Sequence, residues 1–523
     1  MNEPARRTSR LFARKSVQQV QREAGSQPFK RVLGPIDLVL LGVACIIGAG
    51  VFVLTGNAAA SFAGPAVVLS FVLAGLACAF TGLCYAELAS TLPVTGSAYT
   101  YSYATLGEVF AWITGWLMVL ELGIAVALVA VGFSGYVNSL LRDFGIFVPV
   151  ELVTPYVSSL MTSDGLMFTA GHGFNLIAVI GVLIITALLV IGVSESIKVN
   201  RVIVLVKVVV LVVFAIIGSR HIDLDNWTPF IPPSEGGFAF GWPGVLRAAS
   251  VIFFAYVGFE TVCTAAAEAK NPQRDLPIGI LGSLVVCTII YISVAAVLTG
   301  VVPFRQLGIP DPLAVAVNLM QLPWLALVVK IGAIAGLFSV MLAATYGQTR
   351  VFYAMSRDGL LPPLFSRVHE RWRTPHIGTI VLGLAIALVA GLLPITILSD
   401  LVTLGTAMAF GIVCLSVIWL RNTQPDLPRP FKVPLGGVRV NGVWIGVAPA
   451  CGILFCILMV VPLLLDIFGK AAAGDVIPAL LLGGYMSLGT AIYFLYGIRH
   501  SKVAAAAEAQ REVSTPSLAQ APQ

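Results

Sequence analysis

Two short stretches of the 523-residue sequence place glycine inside apolar runs, two closely spaced in the first and one beside an acidic residue in the second. The first is Ile46-Ile47-Gly48-Ala49-Gly50-Val51, and the second is Phe254-Ala255-Tyr256-Val257-Gly258-Phe259-Glu260. Glycine at this spacing interrupts a helix, and in a low-dielectric interior the freed N–H and C=O groups are costly unless something pairs with them. Around Gly48–Gly50 the free groups are N–H donors at the start of a half-helix, where the positive end of the dipole favours a carboxylate. The second stretch frees carbonyls, which suit an ammonium group. An α-amino acid carries both groups and satisfies both breaks. Glycine also permits plain close packing between membrane helices, so either stretch alone has a structural explanation. Their recurrence 210 residues apart, with the acidic Glu260 beside the second, favours a site.

Lys207 lies about eight residues into another apolar run, roughly 12 Å deep at ~1.5 Å per residue. That is too deep for easy snorkelling in a hydrocarbon core about 30 Å thick. It reads either as a proton-exchanging amine or as a fixed cation bracing neighbouring helices. Glu108 opens the third apolar span and suits an inner-surface ion pair or proton handling. Glu121, about four turns further on, reads as the partner of a polar group on another span or as a proton carrier. Glu87, near the inner end of the second span, reads as a packing or gate residue. Catalytic signatures are missing: there is no Gly-x-Ser-x-Gly, no His-Glu-x-x-His and no Gly-x-x-x-x-Gly-Lys-Ser/Thr, which argues against an enzyme and against direct ATP drive. The eight cysteines have no zinc-like or disulfide-like spacing, and the five histidines sit in loops or at span ends. No metal and no cofactor is expected.

The elements that must position these residues are membrane helices. The chain is 58% hydrophobic and 11% charged, against about 25% charged in soluble proteins, and its apolar residues fall in runs near the ~20 residues that span a bilayer. The runs predict an all-α integral membrane protein with twelve transmembrane helices, at about 35–61, 65–90, 105–139, 174–193, 199–218, 244–266, 278–300, 318–345, 377–393, 399–419, 444–465 and 477–498. With the Arg-rich N-terminus inside, 24 of the 31 Lys and Arg fall on the cytoplasmic side. This is the positive-inside bias; it puts both termini in the cytoplasm and explains the net charge of +6 without a nucleic-acid partner. Tyr346–Leu360 reads as an amphipathic segment at the inner surface.

The two glycine breaks each fall in the first span of a five-span half, the sequence pointer to an inverted repeat with a central site. The expected organisation is a cytoplasmic tail over 1–32, a transporter domain over 33–500 with repeats at about 35–218 and 244–419, and a disordered cytoplasmic tail over 501–523. Spans 11 and 12 are additions to the 5+5 core, whose broken helices are 1 and 6.

Four stretches resemble the amino acid–polyamine–organocation superfamily, specifically its cationic amino acid transporter branch. They are Gly42-Val43-Ala44-Cys45-Ile46-Ile47-Gly48-Ala49-Gly50-Val51-Phe52; Tyr85-Ala86-Glu87-Leu88 with Pro93, Gly96-Ser97-Ala98-Tyr99-Thr100-Tyr101-Ser102-Tyr103 and Gly107-Glu108; Tyr256-Val257-Gly258-Phe259-Glu260 with Lys270-Asn271-Pro272-Gln273; and Gly347-Gln348-Thr349-Arg350 with Ser356-Arg357-Asp358-Gly359. The resemblance covers about Val32 to Leu420. It implies that Ile46, Ile47, Gly48, Ala49 and Gly50 surround the substrate carboxylate, and that the carbonyls of Phe254, Ala255 and Val257, beside Gly258, take the amino group. It places Lys207 where sodium-coupled relatives hold a sodium ion, which makes Lys207, Glu108, Glu121 and Glu260 the proton-coupling candidates. Phe338-Ser339 departs from the smaller pair common in relatives.

The function expected is secondary active import of cationic or small neutral amino acids at the cell membrane, with a proton as coupling ion and alternating access. An uncoupled exchanger is the nearest alternative. A membrane amino acid sensor is another, although neither terminus offers a signalling domain.

Overall fold

The computed structural model describes residues 10–16, 31–92, 97–162, 165–192 and 197–514. Most of the N-terminal tail, Pro93 and Gly96 of the second motif, and the tail beyond residue 514 lie outside that set.

In chain order the main helices are α1 (Pro35–Ile46), α2 (Val67–Thr91), α3 (Ser97–Thr105), α4 (Glu108–Asp143), α5 (Leu176–Ile191), α6 (Ile197–Gly218), α7 (Gly241–Phe253), α8 (Pro272–Val301), α9 (Pro323–Arg357), α10 (His376–Leu392), α11 (Ile395–Thr423), α12 (Val447–Ala472), α13 (Ile477–His500) and α14 (Lys502–Ser514). Among the described residues nine helical stretches are long and apolar enough to cross a membrane, and α1, α5 and α10 are shorter apolar helices. The outward faces are apolar. On α6, Val202, Leu205 and Ile216 are each about 60% exposed (61%, 64% and 59%). Such a surface is stable only against lipid or another apolar partner. The molecule is a multi-pass, predominantly helical membrane protein.

Two small antiparallel hairpins depart from the all-α expectation: β1 (Val157–Thr162) with β2 (Gly165–Ala170), and β3 (Gly437–Val440) with β4 (Val443–Gly446). Both lie in connections between spans, where hairpins pair backbone groups that the helices do not. No closed sheet forms among the described residues.

Both glycine stretches break their helices. α1 stops at Ile46, Ile47 turns to an extended backbone, and helical turns resume from Gly50 to Ala63. α7 stops at Phe253, passes through one 3₁₀ turn to Tyr256, and reverses at Gly258, whose φ of 122° favours glycine. The helix resumes at Thr261.

The segment before the first break and the segment after the second are tied together. Val32 N–H and Leu33 N–H donate to the Glu268 carbonyl at 2.9 and 3.0 Å, and Lys270 N–H donates to the Leu33 carbonyl at 2.9 Å. Gly258 also packs so closely on Cys45 that a Cβ there would lie 2.7 Å from the Cys45 carbonyl carbon. α8 packs against both α1 and α2, and so serves as the support for this pair.

Three expectations need correction. Tyr346–Leu360 is not a separate surface segment: α9 continues unbroken to Arg357. The third span does not begin at 105, because α3 is a separate helix ended by a turn at Gly107 (φ 106°) before Glu108 opens α4. The tail expected to be disordered over 501–523 is helical from Lys502 to Ser514, with Ser501 and Ala504 buried. Its Ala-rich composition, taken for disorder, also has high helix propensity.

Candidate functional site

At the first break, the carbonyls and the N–H groups have different fates. Lys207, buried on α6, donates from Nζ to the carbonyls of Ala44 at 2.6 Å and Ile47 at 3.0 Å. Tyr291 on α8 donates from its hydroxyl to the Ile46 carbonyl at 2.7 Å. Tyr136 on α4 donates to the Phe52 carbonyl at 2.7 Å. The N–H groups of Gly48, Ala49 and Gly50 find no backbone acceptor among the described residues. They are the orphan donors that any helix start leaves.

The second break is filled in the opposite sense. Both carboxylate oxygens of Glu260 accept from the Gly258 N–H, at 3.1 and 2.9 Å. Val257 N–H donates to the Phe254 carbonyl at 2.9 Å, and the Ala255 carbonyl accepts the Tyr291 hydroxyl at 2.9 Å. Of the three carbonyls implied for the amino group, those of Phe254 and Ala255 therefore have protein donors. The Val257 carbonyl has none among the described residues.

The breaks are adjacent in space. A Cβ at Gly50 would stand 2.3 Å from the Ala255 Cβ and 2.5 Å from its Cα, so only glycine fits there. Gly48 is less constrained: its added Cβ would meet Val340 Cγ2 at 3.1 Å. Tyr291 joins the two breaks with one hydroxyl. The structure thus brings Ile46, Ile47, Gly48, Ala49, Gly50, Phe254, Ala255, Val257, Gly258, Glu260 and Lys207 into one buried region.

The other two proton-coupling candidates are both on α4. Glu121 lies in a π-helical turn of α4, fully buried, and neither carboxylate oxygen has a hydrogen-bond partner among the described residues. Among the described residues Glu108 has no ion-pair partner of the kind considered for it. Its carboxylate accepts from hydroxyls: Tyr103 at 2.9 Å, Tyr493 at 3.3 Å and Ser501. Glu87 is ion-paired with Arg421 (Nε to Oε1 at 2.8 Å) and accepts from the Val433 N–H at 2.7 Å.

Sequence reasoning missed Tyr291, Tyr136 and Val340. It also missed a buried charge cluster where Arg247 on α7 reaches Asp400 on α11 at 2.7 and 2.8 Å and Asp466 on α12 at 3.1 Å. Lys470 pairs with the same Asp466 at 3.0 Å. Phe338 packs its ring 6.4 Å from Phe133, and Val340, two residues on, is the side chain facing Gly48. The only available signal for the cluster was the presence of Arg247 inside an apolar span, which requires a partner.

The two broken helices meet in mid-protein, and among the described residues the N–H groups of Gly48 to Gly50 have no backbone acceptor and the Val257 carbonyl has no backbone donor. The family model described as amino acid permease matches residues 33–486, and the chain belongs to that family, an amino acid transporter of the superfamily its motifs resemble. The chain is 43% identical over 495 residues, 94% of its length and 99% of the relative's, to the branched-chain amino acid permease BcaP of Bacillus subtilis (strain 168). It is 40% identical over 493 residues, again 94% and 99% of the two lengths, to the methylthioribose transporter of the same organism. To the vacuolar cationic amino acid transporter 4 of Arabidopsis thaliana it is 37% identical over 418 residues, 80% of this chain and 68% of the relative.

Proposed function

We propose that this protein imports α-amino acids with neutral side chains across a cell membrane, coupled to protons, by alternating access. One observation carries the reading: among the described residues the N–H groups of Gly48 to Gly50 have no backbone acceptor while the carbonyls of the first break are occupied, and the Val257 carbonyl has no backbone donor while the Gly258 N–H is occupied. The substrate carboxylate binds the Gly48–Gly50 donors, and its ammonium binds the Val257 carbonyl. Two facts support neutral over basic side chains. Glu260, the acidic residue nearest the break, is engaged with Gly258, and Val340 presents an apolar side chain at Gly48. The relative named a branched-chain permease agrees with this choice.

The topology behind the reading is twelve spans with both termini cytoplasmic. The nine long and three short apolar helices support it, because the short α1 is the inner half of the first span, the Gly50–Thr91 stretch holds the rest of that span and the second, and α5 and α10 supply two more. The 5+5 repeat, about 35–218 and 244–419, is supported by the matched breaks. Lys207 is the coupling group: its ammonium clamps two carbonyls of the first break, so its deprotonation would release the inner half α1 from α6.

Uptake of labelled amino acids into proteoliposomes, with and without an inward proton gradient, tests this. Leucine, isoleucine and valine should accumulate with the gradient, and unlabelled lysine and arginine should compete poorly. Equal uptake with and without the gradient would leave exchange or uniport instead, and preferential competition by lysine would reverse the substrate choice.

A further inference from the structure

Both termini converge on the inner face. The segment 10–16 lies across the inner ends of the helices, with Ala13 and Lys15 almost fully buried. Arg10 makes a two-pronged pair with Glu508 of α14, at 2.8 and 2.7 Å, and reaches the Ile498 carbonyl at 3.4 Å. Such fork geometry is the strong form of a charged hydrogen bond. The Arg14 guanidinium sits 4.3 Å from the Trp419 ring near the end of α11. The backbone of Phe12 passes over the turn at Gly107, where a Cβ would lie 3.0 Å from the Phe12 Cα.

The two termini share one anchor. Asp358, at the end of α9, takes the Lys15 ammonium on one carboxylate oxygen at 2.7 Å and the Tyr99 hydroxyl on the other at 2.8 Å. Its backbone carbonyl accepts the Lys502 N–H at 3.0 Å, and Gly359 packs against the His500 carbonyl. One turn away, Glu108 gathers Tyr103, Tyr493 and Ser501.

These contacts bear on the broken span through α3. Tyr99 and Tyr103 are four residues apart and share a face of that helix, and both touch the terminal assembly: Tyr99 through Asp358, Tyr103 through Glu108 and the Lys15 ammonium 5.5 Å from its ring. Tyr101, on the opposite face, packs 6.4 Å from Tyr85, which in turn packs 5.5 Å from Phe259 of the second break. α3 also packs against the Thr261–Thr264 turn just inward of that break. α3 therefore stands as a wedge between the termini and the inner half of the sixth span.

We propose that residues 10–16 and the C-terminal helix α14 form a clasp that presses α3 against the sixth span and holds the inner pathway shut, so that release of the clasp accelerates opening to the cytoplasm. The proposal rests on the alternating-access reading above. It adds that the termini act as a brake on it.

The test uses the full chain in proteoliposomes with Cys263 retained as the single thiol, because it is buried on the turn that α3 covers. Labelling by a membrane-impermeant maleimide applied to the cytoplasmic face reports inner opening. Glu508→Arg and Lys15→Gln should each raise the labelling rate about five- to tenfold, and a chain ending at residue 500 should match or exceed them. The swap Arg10→Glu with Glu508→Arg should return the rate to that of the parent, which a merely misfolded variant would not do. Parental rates in Glu508→Arg, Lys15→Gln and the truncated chain, or a swap that fails to restore, would overturn the clasp. The parent's labelling should itself fall when leucine is added. A parent insensitive to leucine would overturn the alternating-access reading, whereas a leucine-sensitive parent with unchanged variants would overturn the clasp alone.

Discussion

The two breaks look alike in sequence and are opposite in chemistry. In the first, side chains from α6 and α8 consume the carbonyls of Ala44, Ile46 and Ile47 and leave the donors of Gly48 to Gly50. In the second, the carboxylate of Glu260, two residues from Gly258, consumes the donor and leaves the Val257 carbonyl. The polarity of a break is thus set less by the glycines than by which side chain reaches it first. On the proposed reading, a cation at the first break leaves an anion receptor, and an anion at the second leaves a cation receptor.

The strongest way to break this comparison is Gly50→Val. Its side chain would collide with Ala255, forcing the breaks apart. A buried overpacking of this kind costs ~1–3 kcal/mol or more, and with the donors displaced, leucine affinity should fall by about 100-fold or beyond. Equilibrium binding to purified, monodisperse protein checks it, and near-parental affinity would remove the first break from the site.

Next is Lys207→Met, which leaves the Ala44 and Ile47 carbonyls without their donor. Each unsatisfied group costs ~1–3 kcal/mol, so thermal stability should drop and accumulation driven by a pH gradient should be lost, with some binding retained. Lys207→Arg should fail in gradient-driven uptake as well, because guanidinium holds its proton. Strong accumulation by the Met variant would move proton coupling to Glu108, Glu121 or Glu260.

Tyr291→Phe removes the hydroxyl that joins the two breaks. It should weaken leucine binding about tenfold, near 1.4 kcal/mol, and lower thermal stability, while Tyr136→Phe, whose hydroxyl donates to the Phe52 carbonyl of the first break, should affect stability more than affinity. Gly48→Ala is milder because Val340 can give way. A several-fold loss of affinity is expected, about 1 kcal/mol, and Val340→Ala in the same chain should recover much of it.

The smallest effect sharpens the comparison most. Glu260→Gln keeps an oxygen for the Gly258 N–H, so affinity and gradient-driven uptake should stay within about threefold, under ~0.7 kcal/mol. Loss of gradient-driven uptake with binding intact would show that the carboxylate is a titrating group as well as a cap.

The positions of the breaks were legible because glycine spacing and apolar runs are local properties. So was the burial of Lys207, which needed only its depth within a run. What the breaks are filled with was not legible. Tyr291 lies 245 residues from Ile46, and nothing near it in sequence says which carbonyl its hydroxyl meets. Val340 was hidden for the same reason, although the neighbouring Phe338-Ser339 had already drawn notice. The Arg247 cluster was half visible: an arginine in an apolar span demands a partner, but only the packing of α7, α11 and α12 selects Asp400 and Asp466. Glu108 misled because its place at the inner surface suggested a basic partner, whereas its nearest groups are hydroxyls from α3, α13 and the residue after it. The C-terminal helix was missed because alanine-rich sequence serves a packed helix as readily as a loose tail.

The three backbone hydrogen bonds that join residues 32–33 to residues 268–270 reduce the number of independent motions the protein has. A carrier with two broken helices could in principle swing four half-helices separately. With their free ends zipped together and Gly258 seated on Cys45, the inner halves of spans 1 and 6 form one lever with two fulcrums, one at each glycine stretch. Such a lever turns about the line through its two fulcrums, the glycine stretches where the proposed function places the substrate's carboxylate and ammonium. Under the alternating access proposed above, movement of that unit would disturb the sites proposed for both ends of the amino acid together.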